Sequence, residues 1–577
     1  MKFKSLLAIF LASASLSAMA QGYKDGVEYY KAGRIELAQE LLDKNLSNAD
    51  TDRAEAYYYL GSIQLDYYYY DLKRGRTAEA NAELSAAADY FRKGVQANAD
   101  YAFNYAGLGQ IALINNNTKE AEDNFKKVEK LAKKDAGAYA AIAQAYYNVG
   151  RLVRGDASFY QKQIDKAMAS AEKLMYKRMT SSGNADFQPN DQDYYILKGD
   201  IIFDTAGADK KLVGDACNEY ESAIKVDPNA AEGYVKYADT YFQIKPEIAI
   251  AKLRELLSLS PNSALGQREL AEKLYEDGQV AQATKEYAKL MKNPNHFQSD
   301  ENRYLQLLYF SKDYQNGFDQ SAAILASAPD NFSARSWNYV FAHELGRTDV
   351  IDIAKKLLAA EKQTDAKLPY GVYPMIARDL NKAGMSDEAI NVLHLGLNHY
   401  PDNLDMLKET AAALAALNRY ADAADMLSQY VTKQKESDVT GTEYWTLSQY
   451  AVVAGQDAQD ANLQGKYFEM SKDAAVKAEP KLAAKFKYLV RKRLGDIAQI
   501  NKQDAVAAAE YMQAIKLLED ANAVNENTKD AQAMYRFAGI AAYNNKDYIT
   551  AAQLLSKYQA LNPEDTQIND ILSKINK

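Results

Sequence analysis

An all-α solenoid, built by stacking antiparallel helix hairpins, is the fold the sequence predicts. Three observations predict it. A pattern of large, small and chain-terminating residues recurs at about the 34-residue spacing of a helix-hairpin repeat. Pro228, Pro261, Pro294 and Pro329 stand close to one repeat length apart in a chain with only 11 prolines. With 577 residues, 47% hydrophobic and 25% charged, the chain is helix-rich, continuous and too long for one ordinary core.

The pattern is clearest over Tyr535–Pro563, YRFAGIAAYNNKDYITAAQLLSKYQALNP. Its landmarks are Tyr535, Gly539, Ala542, Tyr548, Ala551, Leu555 and Pro563. Two short helices flank the polar turn Asn544-Asn545-Lys546-Asp547. Gly539 and Ala551 are expected to let the two backbones approach, with Tyr535 and Leu555 filling the space around them. Pro563 ends the second helix because it cannot continue the hydrogen-bond ladder.

The N-terminus, MKFKSLLAIFLASASLSAMAQG, sets Lys2 and Lys4 before an apolar run and ends in Ala18-Met19-Ala20. This is the layout of a secretory signal peptide over residues 1–20, with cleavage expected before Gln21. No Cys follows that site, which disfavours a lipid anchor, and no later apolar run approaches the roughly 20 residues of a membrane span. The expected location is therefore the periplasm, with the chain soluble or peripheral to the outer membrane. Cys217 is the only cysteine, so no intrachain disulfide can form. It is read as a small buried helix residue. The formal charge of −9 is spread among interleaved Lys and Glu, which gives no basic footprint for nucleic acid.

After the signal, Gly26, Tyr29, Gly33, Ala38 and Leu42 make the first hairpin. Tyr57, Leu60 and Gly61 open the second. Its partner helix, with Ala87 and Phe91, arrives late, which predicts an insertion or two lengthened helices. Tyr105, Gly109, Ala121 and Phe125 restore the spacing. In the fourth unit RLVRGDASFYQKQIDK displaces the second helix again, as a helix extension or a loop with a short helix. Thr180–Asp193, TSSGNADFQPNDQD, reads as the clearest non-helical segment and the place where the array would bend or break. Regular units follow from Tyr195 to Pro294, a degenerate one from Trp337, and strong ones again from Ala377. The array is expected to span residues 21–564, with an amphipathic capping helix over 565–577.

An aromatic residue, a Leu-Gly or small pair, a turn Gly, Ala-x-x-x-Phe/Tyr and a closing Pro together resemble the tetratricopeptide repeat family. The likeness covers nearly all of the chain after the signal, in about 13–14 units. It departs from the family in one way: Tyr57, Tyr105, Tyr139, Tyr195, Tyr234 and Tyr535 stand where the family commonly has Trp, in keeping with 44 Tyr against 2 Trp. The resemblance implies a right-handed α-solenoid of antiparallel helix hairpins, a superhelix whose first helices line a concave groove for peptides or partner proteins.

Aligning the units by their turn and Ala landmarks sets Tyr30, Tyr147, Phe203, Phe242, Tyr275, Tyr309 and Tyr543 at one equivalent position. By the resemblance that position faces the groove, as an aromatic ladder for an extended peptide or a glycan. The alternative is that these rings pack against the next repeat. Gln110, Gln144, Asp200, Asp239, Arg268 and Glu272 are the polar groove candidates, against a reading as ordinary solvated helix faces. The Lys, Arg and Asn cluster of a carboxylate clamp is missing.

His296, His343, His394 and His399 are the only histidines, read as surface or loop residues without metal-pair spacing. No phosphate-cradling loop, nucleophile elbow or thiol pair occurs, so neither a catalytic residue, a metal nor a cofactor is expected. The expected role is a non-catalytic scaffold that binds a peptide or protein partner, an envelope complex among them. A glycan- or small-ligand-binding protein is the alternative. An enzyme hosted by YYYYDLKRGR or RLVRGDASFYQ would need a convergent polar cluster that neither supplies.

Overall fold

The computed structural model describes residues 22–182, 187–207, 209–364 and 366–575. Among these residues there are 29 α-helices and no strand. None of these helices is long and apolar enough to cross a membrane. The signal-peptide reading of residues 1–20 lies outside the described residues.

The chain divides into two units, the first ending at Gly317 and the second starting at Phe318. The first is an α-solenoid of hairpins: α1 (Tyr23–Lys31) with α2 (Ile35–Asn45), α3 (Arg53–Lys73) with α4 (Thr77–Ala97), α5 (Phe103–Ile114) with α6 (Thr118–Leu131), and α7 (Ala136–Asn148) with α8 (Gln161–Ser182). It continues with α9 (Gln192–Ala206) and α10 (Lys210–Val226), α11 (Ala231–Tyr241) and α12 (Pro246–Leu259), α13 (Ala264–Glu276) and α14 (Val280–Leu290), then α15 (Gln298–Phe310). Helix α16 (Tyr314–Ser327) runs across the division.

The second unit repeats the scheme with α17 (Phe332–Glu344) and α18 (Val350–Gln363), α19 (Val372–Lys382) and α20 (Ser386–His399), and α21 (Leu404–Ala416) and α22 (Tyr420–Thr432). Then come α23 (Gly441–Asp457) and α24 (Ala461–Ala478), α25 (Lys487–Ile500) and α26 (Asp504–Asp520), α27 (Thr528–Asn544) and α28 (Tyr548–Leu561), and α29 (Thr566–Ile575).

The hairpins close through glycines in the first helices. A Cβ on Gly199 would stand 2.5 Å from the Tyr220 ring of α10, and one on Gly539 would stand 2.6 Å from Leu555 of α28. The Gly539 site is therefore a hole for the Leu555 side chain; the expected approach of backbone to backbone is replaced by a knob seated against bare backbone. Pro228, Pro261, Pro329, Pro401 and Pro563 each stand just beyond a second helix, after Val226, Leu259, Ser327, His399 and Leu561. Those prolines thus mark where one repeat stops.

The two displaced second helices have different causes. In the second hairpin both helices are lengthened, to 21 residues each. In the fourth a π-helical turn, Val149–Val153, prolongs α7 before the chain loops into α8. Thr180–Asp193 is only partly as expected. Helix α8 runs on to Ser182 and α9 already begins at Gln192, because Asp191 accepts the Gln188 N–H at 2.8 Å and pairs with Arg178 of α8. Residues 183–186 lie outside the described residues. At the other end of the chain, α29 buries Ile568 and Leu572 in one cluster with Leu554, Leu555 and Tyr558 of α28.

Candidate functional site: the inner face of the N-terminal unit

Helices α1, α3, α5, α7, α9 and α11, the first helices of successive hairpins, all supply residues to one cavity of about 420 Å³. The cavity exists because the first hairpin folds back onto later ones. Gly33, with φ of 77°, ends α1 in the left-handed conformation that a side chain would resist. The turn it makes aims Arg34 at α11 and α13.

There the Arg34 Nε donates to Glu269 Oε1 at 2.6 Å, and its second nitrogen reaches Glu269 and, at 3.1 Å, Asp239. Lys31 Nζ donates to Asp193 of α9 at 2.8 Å. Burial works to lower the Lys31 ammonium, but Asp193 and Glu232 overcome it and raise its pKa, so the group stays charged. Tyr29, 2% exposed, meets the Phe297 ring edge-on at 5.4 Å. The Arg268 guanidinium lies 5.1 Å from the Tyr29 ring and 4.9 Å from that of Phe297. Two nitrogens of Arg268 grip Asp300, with Nε donating at 2.6 Å.

The predicted site residues separate into three groups. Tyr30, Gln110, Gln144 and Asp200 share the wall of the cavity. The Tyr30 ring lies 5.4 Å from that of Tyr59, and Gln110 Nε2 donates to the Tyr69 hydroxyl at 2.7 Å. A second group holds internal partners. The Tyr147 hydroxyl donates to Asp204 at 2.9 Å, Phe242 is buried beneath the Lys273 ammonium, Asp239 takes Arg34 and Lys273, and Arg268 is committed to Asp300. Asp200 and Glu272 likewise hold Lys236 and Arg303.

The third group reaches solvent. Phe203 is 41% exposed. Half-buried Tyr275 stacks on Phe310 at 6.4 Å beneath the Arg303 guanidinium, and Tyr309 packs beside Tyr314 at 5.8 Å. In the second unit Tyr543 meets Tyr548 at 5.8 Å. Within the first unit the equivalent positions therefore form no single ladder: Tyr30 lines the cavity, Tyr147 and Phe242 are buried against neighbouring helices, and Phe203, Tyr275 and Tyr309 reach solvent.

Of the cavity's charged residues, sequence reasoning named Asp200 and missed the others. Asp66 and Glu232 stand in its wall with Lys31 and Lys236. Burial pushes the Asp66 carboxyl up to about 7, opposed by the Tyr30 hydroxyl and the Lys236 charge. Glu232 is raised as well, by burial first, with Lys31 opposing. A local signal existed, since Asp66 interrupts the aromatic run of LDYYYYD. Among the described residues no three His, Cys, Asp or Glu are placed to hold a metal ion. Cys217 is buried. The surface-or-loop reading fails for two of the histidines: half-buried His343 of α17 has Nδ1 2.6 Å from Asp379, and half-buried His399 at the end of α20 lies 3.8 Å from Glu361.

Residues 503–566, which include all of α26, α27 and α28, match the model of the tetratricopeptide repeat. That stretch carries a tetratricopeptide repeat. Glycine-seated hairpins recur through both units and share its helix-pair architecture. A search of curated proteins finds no match. Among solved structures the chain is similar to the C-terminal part of a tetratricopeptide repeat protein from Cytophaga hutchinsonii, at 14% identity over 47% of this chain and 99% of that one, with a TM-score of 0.35. A tetratricopeptide repeat protein from Parabacteroides merdae matches at 15% identity over 53% and 98% of the two chains, with a TM-score of 0.28. Human IFIT1, solved as a dimer with PPP-AAAA, matches at 15% identity over 72% and 90%, with a TM-score of 0.27.

Proposed function

We propose that this protein is a non-catalytic interaction scaffold of the periplasm, taking a peptide or protein partner on the inner faces of its hairpins. One observation carries the reading: the inner face of α9, α11 and α13 already holds polypeptide. Lys31 and Arg34 sit on Asp193, Asp239 and Glu269, and Tyr29 enters between Arg268 and Phe297. Charged anchors around one buried aromatic are what a docked helix or peptide uses. Phe203 and the Tyr275–Phe310 stack continue beyond this self-occupied stretch and remain open to a partner. The signal-peptide layout of residues 1–20 supports the periplasmic location, and an envelope complex is the partner class that location favours.

Site-specific photocrosslinking in intact cells tests this. A photoreactive residue at Tyr275 is expected to give a discrete adduct of higher mass in the envelope fraction. The same group at Lys289, exposed on the second helix α14, is expected to give none. Equal labelling from both positions, or none from Tyr275, contradicts the proposal.

A further inference from the structure

We propose that the cavity lined by the first helices of the N-terminal unit is a binding site for a small aliphatic amine. The cavity, of about 420 Å³, falls within the size range of small-molecule sites. Four carboxylates and two ammonium groups face it: Asp66, Asp193, Asp200 and Glu232, with Lys31 and Lys236. Both lysines are already taken, Lys31 by Asp193 and Lys236 by Asp200, each at 2.8 Å. Among the described residues, Asp66 and Glu232 have no ion pair.

Glu232 supplies the decisive second observation. It is 6% exposed, it stands in the cavity wall, and its Oε2 has no hydrogen-bond partner among the described residues. A buried acceptor left empty is rare because it loses water and gains nothing in return. A donor entering the cavity resolves it. Burial displaces both the Asp66 and Glu232 carboxyls upward against the pull of the nearby lysines, and an ammonium group entering beside them would favour their charged forms.

The rest of the wall fits a cation on an alkyl chain. Tyr30, Tyr58 and Tyr59 line it, with the Tyr59 ring 5.4 Å from Tyr30 and 5.0 Å from Tyr58. Aromatic faces attract ammonium groups and also accept methylenes. Two carboxyl groups without ion pairs match a diamine better than a monoamine, and an anion would find both ammonium groups already paired. The same ammonium could arrive on a lysine side chain of a peptide. A recess of about 420 Å³ suits a free amine in size, and this assignment stands independently of the partner reading above.

Calorimetric titration of the full mature chain with putrescine and spermidine tests it, alongside a lysine-containing hexapeptide and glutarate. Saturable binding of a free diamine, about one per chain, is expected, with no response to glutarate. Glu232→Gln and Asp66→Asn, made separately because both are close to isosteric, are each expected to weaken binding at least about tenfold without lowering the melting temperature. No amine bound at millimolar concentration, binding undiminished in both variants, or binding of the peptide alone would overturn the assignment.

Discussion

Asp66 shows how one residue can be placed against the stability of its fold. Its carboxyl titrates near 7 because burial outweighs the help of Tyr30 and Lys236. In the unfolded chain it titrates near the ordinary 3.8. Below that value both states are protonated and nothing is lost. Between about 4 and 7 only the unfolded chain gives up the proton, so stability falls as pH rises, and above 7 the loss is complete and constant. Asp66→Asn is therefore expected to melt higher than the wild type at pH 8 and equally at pH 4. The gain should be about ten degrees, since a displacement from 3.8 to about 7 is worth roughly 4 kcal/mol and a unit of this size moves by roughly 2–4 °C per kcal/mol. Thermal melts at the two pH values check it, and a gain that does not grow with pH contradicts the placement. In sequence Asp66 was visible only as an acid inside a run of tyrosines. Nothing local says that the run faces a cavity rather than open solvent.

At the scale of the hairpin, most of what holds the chain together was legible. Glycine opposite an aromatic or leucine, a turn and a terminal proline are contacts within one repeat, so their spacing survives in the sequence. Gly199 with Tyr220, Gly539 with Leu555 and Pro563 after Leu561 are all of this kind. Gly199→Ala is expected to cost about 1–3 kcal/mol, because its Cβ would stand 2.5 Å from a fully buried ring that has nowhere to move. Denaturant unfolding measures it, and a neutral result would mean that the two helices sit further apart. The irregular hairpins were legible only as disturbances. A late second helix does not reveal whether length was added to the helices, as in α3 and α4, or to the connection, as between α7 and α8.

What no repeat period encodes is how the array curves, and in the N-terminal unit curvature decides what each inner-face residue does. Arg34 meets Glu269 across 235 positions and Lys31 meets Asp193 across 162. Those distances in sequence lie far outside any local pattern, so Arg268 and Asp239 read as groove residues although the chain's own first hairpin lies against them. The fold-back also supplies Tyr30 and Lys31 to the cavity wall, so both the partner surface and the amine site depend on it. Carbodiimide crosslinking followed by peptide mass spectrometry tests it most directly, since the reagent joins an ammonium to a carboxylate only where they already touch. An amide between Lys31 and Asp193 is the expected product, together with one between Lys236 and Asp200, a pair of equal length and similar exposure inside neighbouring hairpins. Recovery of the Lys236–Asp200 link without the Lys31–Asp193 link would contradict the fold-back.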